Sequence, residues 1–218
     1  MELLAGFFRD GGMFIYLILG VSIIGMAIVV ERVMHLVFRY SIDTKGLWEK
    51  VSKCIRERDF QKAHSFCVGS KAPVPRVFEA ALSSYKEGER GVQHAVDEVS
   101  MEIMPEIEKR VPYLSLAANI ATLLGLLGTI HGLIQAFSAV GNADPSQKAA
   151  LLASGISIAL YTTAFGLFVA IPLLVSYTIL LSKAHRLIDE IDEYSVKLMN
   201  LLIHNPPTEY KSGSQTDE

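Results

Sequence analysis

Three long apolar runs dominate the pattern of hydrophobic and polar positions along the chain. The first, residues 13–30, contains no ionisable group except Tyr16, and the others occupy 113–140 and 151–181. A run of about 18 residues forms a helix of about 27 Å, close to the ~30 Å hydrocarbon core of a bilayer. The segment GNADPSQKA between the last two runs is rich in turn-forming residues and too short to cross a membrane. The pattern therefore predicts three membrane-spanning helices, the last two forming an antiparallel hairpin.

The expected fold class is an all-α integral membrane protein with three transmembrane helices and a helical cytoplasmic lobe, because backbone in lipid must satisfy its own hydrogen bonds. The predicted boundaries are an external amphipathic segment (1–12), transmembrane helix 1 (13–31), the lobe (32–110), transmembrane helix 2 (111–141), an external hairpin (142–149), transmembrane helix 3 (150–182), a cytoplasmic amphipathic helix (183–204) and a disordered tail (205–218).

Basic residues set the expected orientation. Only Arg9 and Lys148 flank the spans on the side of the N-terminus and the hairpin. The opposite side carries Arg32, Arg39, Lys45, Lys109, Arg110, Lys183 and Arg186. By the positive-inside rule, the lobe and the C-terminus are expected in the cytoplasm and the N-terminus outside.

Helical spacing continues through the polar lobe. VSKCIRERDFQKAHSFC and VPRVFEAALSSYKEG are predicted helices split by Pro73 and Pro75. GVQHAVDEVSMEIMPEIEKR leads into the second span, with Pro105 and Pro112 as kinks or restarts. After the third span, apolar residues recur at steps of four and three, which predicts a packed amphipathic helix. These residues are Leu187, Ile191, Tyr194, Leu198 and Leu201.

Composition supports a membrane protein and argues against other classes. Half of the 218 residues are hydrophobic, 20% are charged, and the mean hydropathy is +0.33. The net charge of −3 and the pI of about 6.1 give no sign of nucleic-acid binding. Cys54 and Cys67 form no CxxC pair, which favours ordinary thiols over a disulfide or metal site. HExxH, GxSxG and paired in-span acids are all absent from the sequence, so neither an enzyme nor a cofactor is expected.

The two hairpin spans each combine polar and small side chains. In the second span, the polar residues Ser115, Asn119, Thr122 and Thr129 fall within an arc of roughly 80°. Beside them lie Ala118, Ala121, Gly125, Gly128, Gly132 and Ala136. The third span has a stripe of Gly155, Ala159, Thr162, Thr163, Gly166 and Ala170, with Ser154, Ser157 and Tyr161 on another side. Small residues let helix backbones approach closely in lipid, which predicts a tightly packed hairpin or oligomer. The polar set predicts a seam or lumen, and hydroxyls that bond only to their own helix are the alternative.

Spans two and three contain no carboxylate, lysine or arginine. A buried charge costs about 2.5–3.5 kcal/mol even on lenient scales and usually marks an ion path. This subunit alone therefore offers no obvious proton carrier. His131 is the only in-span group that titrates near neutral pH, and it is either a proton site or a packing residue. Pro172 is expected to kink the third span, and a moving hinge is the alternative.

Two segments resemble a known family. NIATLLGLLGTIHGLIQAF at 119–137 and GISIALYTTAFGLFVAIPLL at 155–174 strongly resemble the ExbB/TolQ/MotA proton-channel family. The paired signatures LGLLGT-x-x-G and A-x-G-L-x-x-A-I-P lie on adjacent spans. The ERV after span one and DFQKAHSFCVGSKAPVPRVFEAAL at 59–82 look like the ExbB/TolQ branch, and three spans rather than four favour that branch over MotA.

The resemblance implies a pentamer of this chain in the bacterial inner membrane, around a dimer of a single-span ExbD/TolR-like partner. The partner's transmembrane aspartate would carry the proton, and the proton-motive force would drive mechanical work. Two pore threonines of the family correspond to Thr129 and Thr163. The other residues expected on the proton path are Ser115, Asn119, Thr122, Ser157 and Tyr161. Those expected in helix packing are Gly125, Gly128, Gly132, Gly155, Gly166, Ala170 and Pro172.

One position departs from the family pattern. Relatives usually read GIAEAL in the third span, whereas this chain reads GISIAL, so Ile158 occupies the glutamate position. Ser157, Tyr161 or water could substitute, or the partner's aspartate could suffice. The departure leaves open TonB-linked import, Tol envelope maintenance, gliding motility or another process. A non-conducting scaffold of the same fold is the alternative function.

Overall fold

The computed structural model describes residues 12–40, 42–141 and 143–205, and within these ranges it contains helices but no strand. The α-helices are α1 (Gly12–Val33), α2 (Thr44–Arg56), α3 (Phe60–Ser65), α4 (Pro73–Ser83), α5 (Gly88–Glu108), α6 (Val111–Gly141) and α7 (Lys148–His204). A π-helical segment, Met34–Arg39, continues α1, and a 3-10 turn, Tyr85–Glu87, precedes α5.

Three helical segments are long and apolar enough to cross a membrane. They are Gly12–Phe38, the segment Tyr85–Gly141 that contains α6, and Lys148–His204. The predicted all-α fold with three spans is confirmed. The predicted external segment (1–12) and tail (205–218) lie outside the described residues, except for Gly12 and Asn205.

The chain divides into two compact units. The described part of the first comprises residues 12–32 and 110–180, and that of the second comprises 33–109 and 181–205. We call them the membrane unit and the lobe. Helix α7 contributes its first part to the membrane unit and its remainder to the lobe.

In the membrane unit, α1 packs against both hairpin helices. The ring of Phe14 meets the ring of His131 on α6 edge-on, with centroids 5.3 Å apart. Gly25 faces α7 so closely that an added Cβ would lie 2.8 Å from a methyl carbon of Leu173. Helix α1 is therefore anchored to α6 near its start and to α7 near its middle.

The lobe is organised around an aromatic cluster. The rings of Trp48 on α2 and Phe78 on α4 lie 5.9 Å apart between centroids, and Tyr194 on α7 lies 5.9 Å from Trp48. Phe78 is fully buried. Burial of Phe78 and Tyr194 beside half-buried Trp48 stabilises the contact between three helices that are remote in sequence.

The first predicted lobe helix is interrupted in the structure. Arg58 adopts φ +59°, a left-handed conformation that ends α2, and the Asp59 carboxylate accepts the backbone N–H of Lys62 to begin α3. Pro73 opens α4 rather than breaking a helix, since the first helical positions tolerate proline. Helix α5 runs through Pro105 and ends at Glu108.

The packed stripe on the distal part of α7 differs from its prediction at one position. Leu187, Ile191, Tyr194 and Leu198 are buried as expected, but the next buried residue is Leu202. Leu201 is only half-buried. A step of four from Leu198 brings Leu202 to the centre of the packed face, and Leu201 lies at its edge.

Both cysteines are free and buried in the lobe. Burial, together with the charge of nearby Glu79, raises the pKa of the Cys67 thiol to about 12.

The thiolate is the reactive form, so we expect Cys67 to react with a maleimide at pH 8 roughly a thousandfold more slowly than a free cysteine. Timed labelling followed by peptide mass spectrometry measures this rate. A Ser65→Cys variant gives an exposed thiol in the same lobe as control, and equal rates at the two positions would contradict the prediction.

Candidate functional site in the membrane hairpin

The small residues of α6 and α7 lie against each other. Around the crossing, an added Cβ on Gly128 would lie 2.7 Å from Thr162, and one on Gly132 would lie 3.1 Å from the backbone nitrogen of Ala159. One on Gly155 would lie 2.3 Å from the Cβ of Ala136. The helices therefore approach with backbone against backbone, which dispersion favours in lipid.

The closest approach to backbone atoms of the facing helix is at Gly166. Its added Cβ would lie 2.8 Å from the carbonyl oxygen of Ala121 and 3.1 Å from the Cα of Gly125. Both neighbours are backbone atoms of α6, which cannot rotate away. Ala170 is also buried, whereas Pro172 lies exposed inside a continuous α7.

The polar residues of α6 lie away from this contact face and are more open. Asn119 and Thr122 are exposed, while Ser115 and Thr129 are half-buried. The hydroxyl of Thr122 donates to the carbonyl oxygen of Ala118 at 3.0 Å, and that of Thr129 donates to the carbonyl oxygen of Leu126 at 2.5 Å. These two bonds stay within the helix, and each oxygen keeps acceptor capacity for a further partner.

On α7, the two adjacent threonines differ. The hydroxyl of Thr162 is buried and donates to Ala159 of its own helix at 2.8 Å. The hydroxyl of Thr163 donates across the hairpin to the carbonyl oxygen of Gly125 at 3.1 Å. Thr163 therefore joins the helices, because the glycine leaves its carbonyl within reach. Ser157, Ile158 and Tyr161 are all half-buried.

His131 lies on another part of α6. Besides the contact with Phe14, its Nε2 lies 3.0 Å from the side-chain nitrogen of Gln135, one turn further along. The residue is otherwise exposed. This environment is that of a side chain between α1 and α6, rather than on the Ser115–Thr129 face.

An ionic cluster at the end of α1 was missed by the sequence reasoning. Glu31 pairs with Arg32 at 3.3 Å and with Arg110 through its other oxygen. Arg32 is only 4% exposed, and Arg110 has φ +64° immediately before α6. The available signal was the pair Glu31–Arg32 directly after the first apolar run, with Arg110 directly before the second. We infer that the cluster joins the ends of spans one and two.

The described residues contain no group of three or more His, Cys, Asp or Glu side chains placed to hold a metal ion. The hairpin offers hydroxyls, amides and backbone carbonyls at close quarters. Such groups can hydrogen-bond a carboxyl group in either protonation state, but they do not themselves carry protons at neutral pH.

The fold and this hairpin define a three-span helical membrane protein whose second and third spans pack through small residues. The chain belongs to the MotA/TolQ/ExbB proton channel family, whose model matches residues 70–193. The similarity to ExbB and TolQ proteins places it in that branch and confirms the resemblance seen in the sequence.

Three relatives show the extent of the similarity. A putative biopolymer transport protein ExbB homolog from Methanothermobacter thermautotrophicus is 30% identical over 85% of this chain and 64% of its own length. A Tol-Pal system protein TolQ from Haemophilus influenzae is 29% identical over 75% of each chain. A putative biopolymer transport protein ExbB-like 3 from Synechocystis is 26% identical over 91% of this chain and 96% of its own. The chain thus spans just under two thirds of the first relative.

Proposed function

We propose that this chain is a channel-forming subunit that couples the proton-motive force to mechanical work, together with a single-span partner of the ExbD/TolR kind. In this proposal a pentamer of the chain surrounds a dimer of the partner in the bacterial inner membrane. The N-terminus and hairpin face the periplasm, and the lobe and C-terminus face the cytoplasm. The distribution of basic residues supports this orientation.

The observation that carries the proposal is the chemistry of spans two and three. They present hydroxyls and an amide on apolar helices, yet residues 111–141 and 150–182 contain no carboxylate, lysine or arginine. An acid that moves protons through this site must therefore come from another chain. An exposed Asn119 amide would be costly against acyl tails, which supports its facing a lumen or a partner.

The mechanism follows from this arrangement, in which the partner supplies the acid and this chain supplies the hydroxyls. The partner's aspartate takes up a proton. The hydroxyl oxygens of Thr129 and Thr163 accept a hydrogen bond from the protonated carboxyl group, and each hydroxyl turns from its backbone carbonyl to donate to the carboxylate form. One charge crossing ~100 mV yields about 2.3 kcal/mol. That energy is comparable to the cost of exchanging one helix contact for another. Protonation then releases the partner dimer to rotate against the threonine ring.

The threonines provide the test. We expect Thr129→Val and Thr163→Val each to lower proton flux about tenfold, because a hydrogen bond to a charged group is lost. Flux is measured with a pH-sensitive dye in vesicles that contain the chain and a single-span partner of the ExbD/TolR kind. Unimpaired flux in both variants would remove these residues from the mechanism.

Two controls separate chemistry from folding. The hydroxyl of Thr178 is exposed and donates to Leu174 of its own helix, much as that of Thr129 donates to Leu126, so Thr178→Val should leave flux unchanged. Thr163→Ser keeps the hydroxyl that reaches Gly125 and should retain most of the flux.

A non-conducting scaffold of the same fold is the second candidate. Half-buried Ile158, at the position where relatives usually carry glutamate, favours it, since an aliphatic side chain cannot relay a proton. A scaffold would hold the partner without flux across the membrane. The vesicle measurement on the unmodified complex separates the two functions directly.

A further inference from the structure

The lobe contains a polar cavity that the proposed function does not use. Its volume is about 420 Å³, within the range of roughly 300–1,000 Å³ typical of small-molecule sites. It is formed by the residue after the π-helical segment, the loop before α4, and side chains of α4 and α5. The lining includes Tyr40, Ser70, Lys71, Arg76, Glu79 and Glu106.

Two side chains of opposite charge line this cavity without an ion-pair partner among the described residues. Arg76 is held by Glu102 at 3.1 Å and by Glu106 at 3.3 Å. Lys71 and Glu79 line the same cavity but form no ion pair with each other or with any other described residue. The cavity therefore offers one free ammonium and one free carboxylate that do not neutralise each other directly. A ligand that carries both a phosphate and an amine complements this pair.

The position of the cavity along the chain points to a lipid. Tyr40 follows Phe38, the last residue of the first candidate span, by two residues. A tyrosine at this point is typical of the headgroup region of a membrane. Apolar side chains flank the polar lining in sequence: Phe38 is 77% exposed, and Val68, next to the cavity residue Gly69, is 52% exposed. A polar cavity with exposed apolar neighbours suits an amphipathic ligand better than a fully soluble one.

We propose that this cavity binds the headgroup of a zwitterionic aminophospholipid, with the phosphate at Lys71 and the amine at Glu79. In this proposal the acyl chains contact the exposed side chains of Phe38 and Val68, which are close in sequence to lining residues. The binding does not depend on proton conduction, so it can be tested on the chain alone.

The test is native mass spectrometry of the full chain in detergent with added phosphatidylethanolamine or phosphatidylglycerol. We expect phosphatidylethanolamine to bind about fivefold more tightly, because phosphatidylglycerol has no amine for Glu79. Lys71→Ala should weaken both lipids. Glu79→Gln should abolish the preference between them. Equal binding of the two lipids by the unmodified chain would overturn the proposal.

Matched controls come from exposed charges of the lobe that do not line the cavity. Lys62→Ala and Glu98→Gln remove the same charges elsewhere and should leave lipid binding unchanged. If Lys71→Ala behaves like Lys62→Ala, the site is wrong. Free phosphoethanolamine should bind about tenfold more weakly than the lipid, since it lacks acyl chains. Equal affinity for the soluble compound would overturn a lipid as the ligand.

Discussion

Replacing Gly166 by leucine is expected to separate the two helices of the membrane hairpin. Even a single Cβ at this position would lie 2.8 Å from the carbonyl oxygen of Ala121, and backbone atoms cannot yield without moving α6. Overpacking of a close contact costs about 1–3 kcal/mol, and leucine adds three more carbons. We therefore expect the free energy of unfolding in detergent to fall by about 3 kcal/mol.

The chain supplies a matched control and a graded series. Gly20 lies in a membrane helix with no atom within 4 Å of an added Cβ, so Gly20→Leu should leave stability nearly unchanged. Gly25→Ala should cost less than Gly166→Ala, because the added Cβ meets the terminal methyl carbons of Leu173, which can rotate away, rather than backbone. Equal stability of the Gly166→Leu and Gly20→Leu variants would show that the helices do not pack as described.

Replacing Phe78 by alanine is expected to destabilise the lobe by about 3–5 kcal/mol. The ring is fully buried and lies between Trp48 on α2 and Tyr194 on α7, so its removal leaves a cavity that two aromatic neighbours cannot fill. Denaturant unfolding followed by the fluorescence of Trp48, the only tryptophan, measures the loss.

Phe66 provides the comparison for this substitution. It is 42% exposed in the same lobe, and Phe66→Ala should change the free energy of unfolding by less than about 1 kcal/mol. A loss at Phe78 no larger than at Phe66 would mean that the aromatic cluster does not hold the lobe together.

The sequence predicted the parts of this fold that depend on one helix at a time. Apolar length was enough to predict three spans, and Leu187, Ile191, Tyr194 and Leu198 were placed on a packed face by periodicity alone. The prediction was weaker where the conformation depends on contacts between segments. The helix predicted around Arg58 is interrupted, and the stripe on α7 includes buried Leu202 beside half-buried Leu201.

The candidate site shows the same limit. Its residues could be selected from the sequence as a polar set beside a small-residue set. The hydrogen-bond acceptor of each hydroxyl could not be predicted from the sequence, because a threonine on a helix can donate either to its own preceding turn or to a neighbouring helix. Thr129 donates to its own helix, whereas Thr163 donates to the carbonyl oxygen of Gly125 on the facing helix. Only the position of Gly125 in the folded hairpin explains this difference.

The sequence by itself determined that this chain is a three-span helical membrane protein of a proton-channel family, because apolar length, helical period and local motifs are properties of a continuous segment. The tertiary structure alone decided which groups meet: Gly166 against Ala121, Thr163 against Gly125, and Glu31 between Arg32 and Arg110. These contacts join residues up to 79 positions apart. They depend on how closely backbones approach, which no single segment encodes.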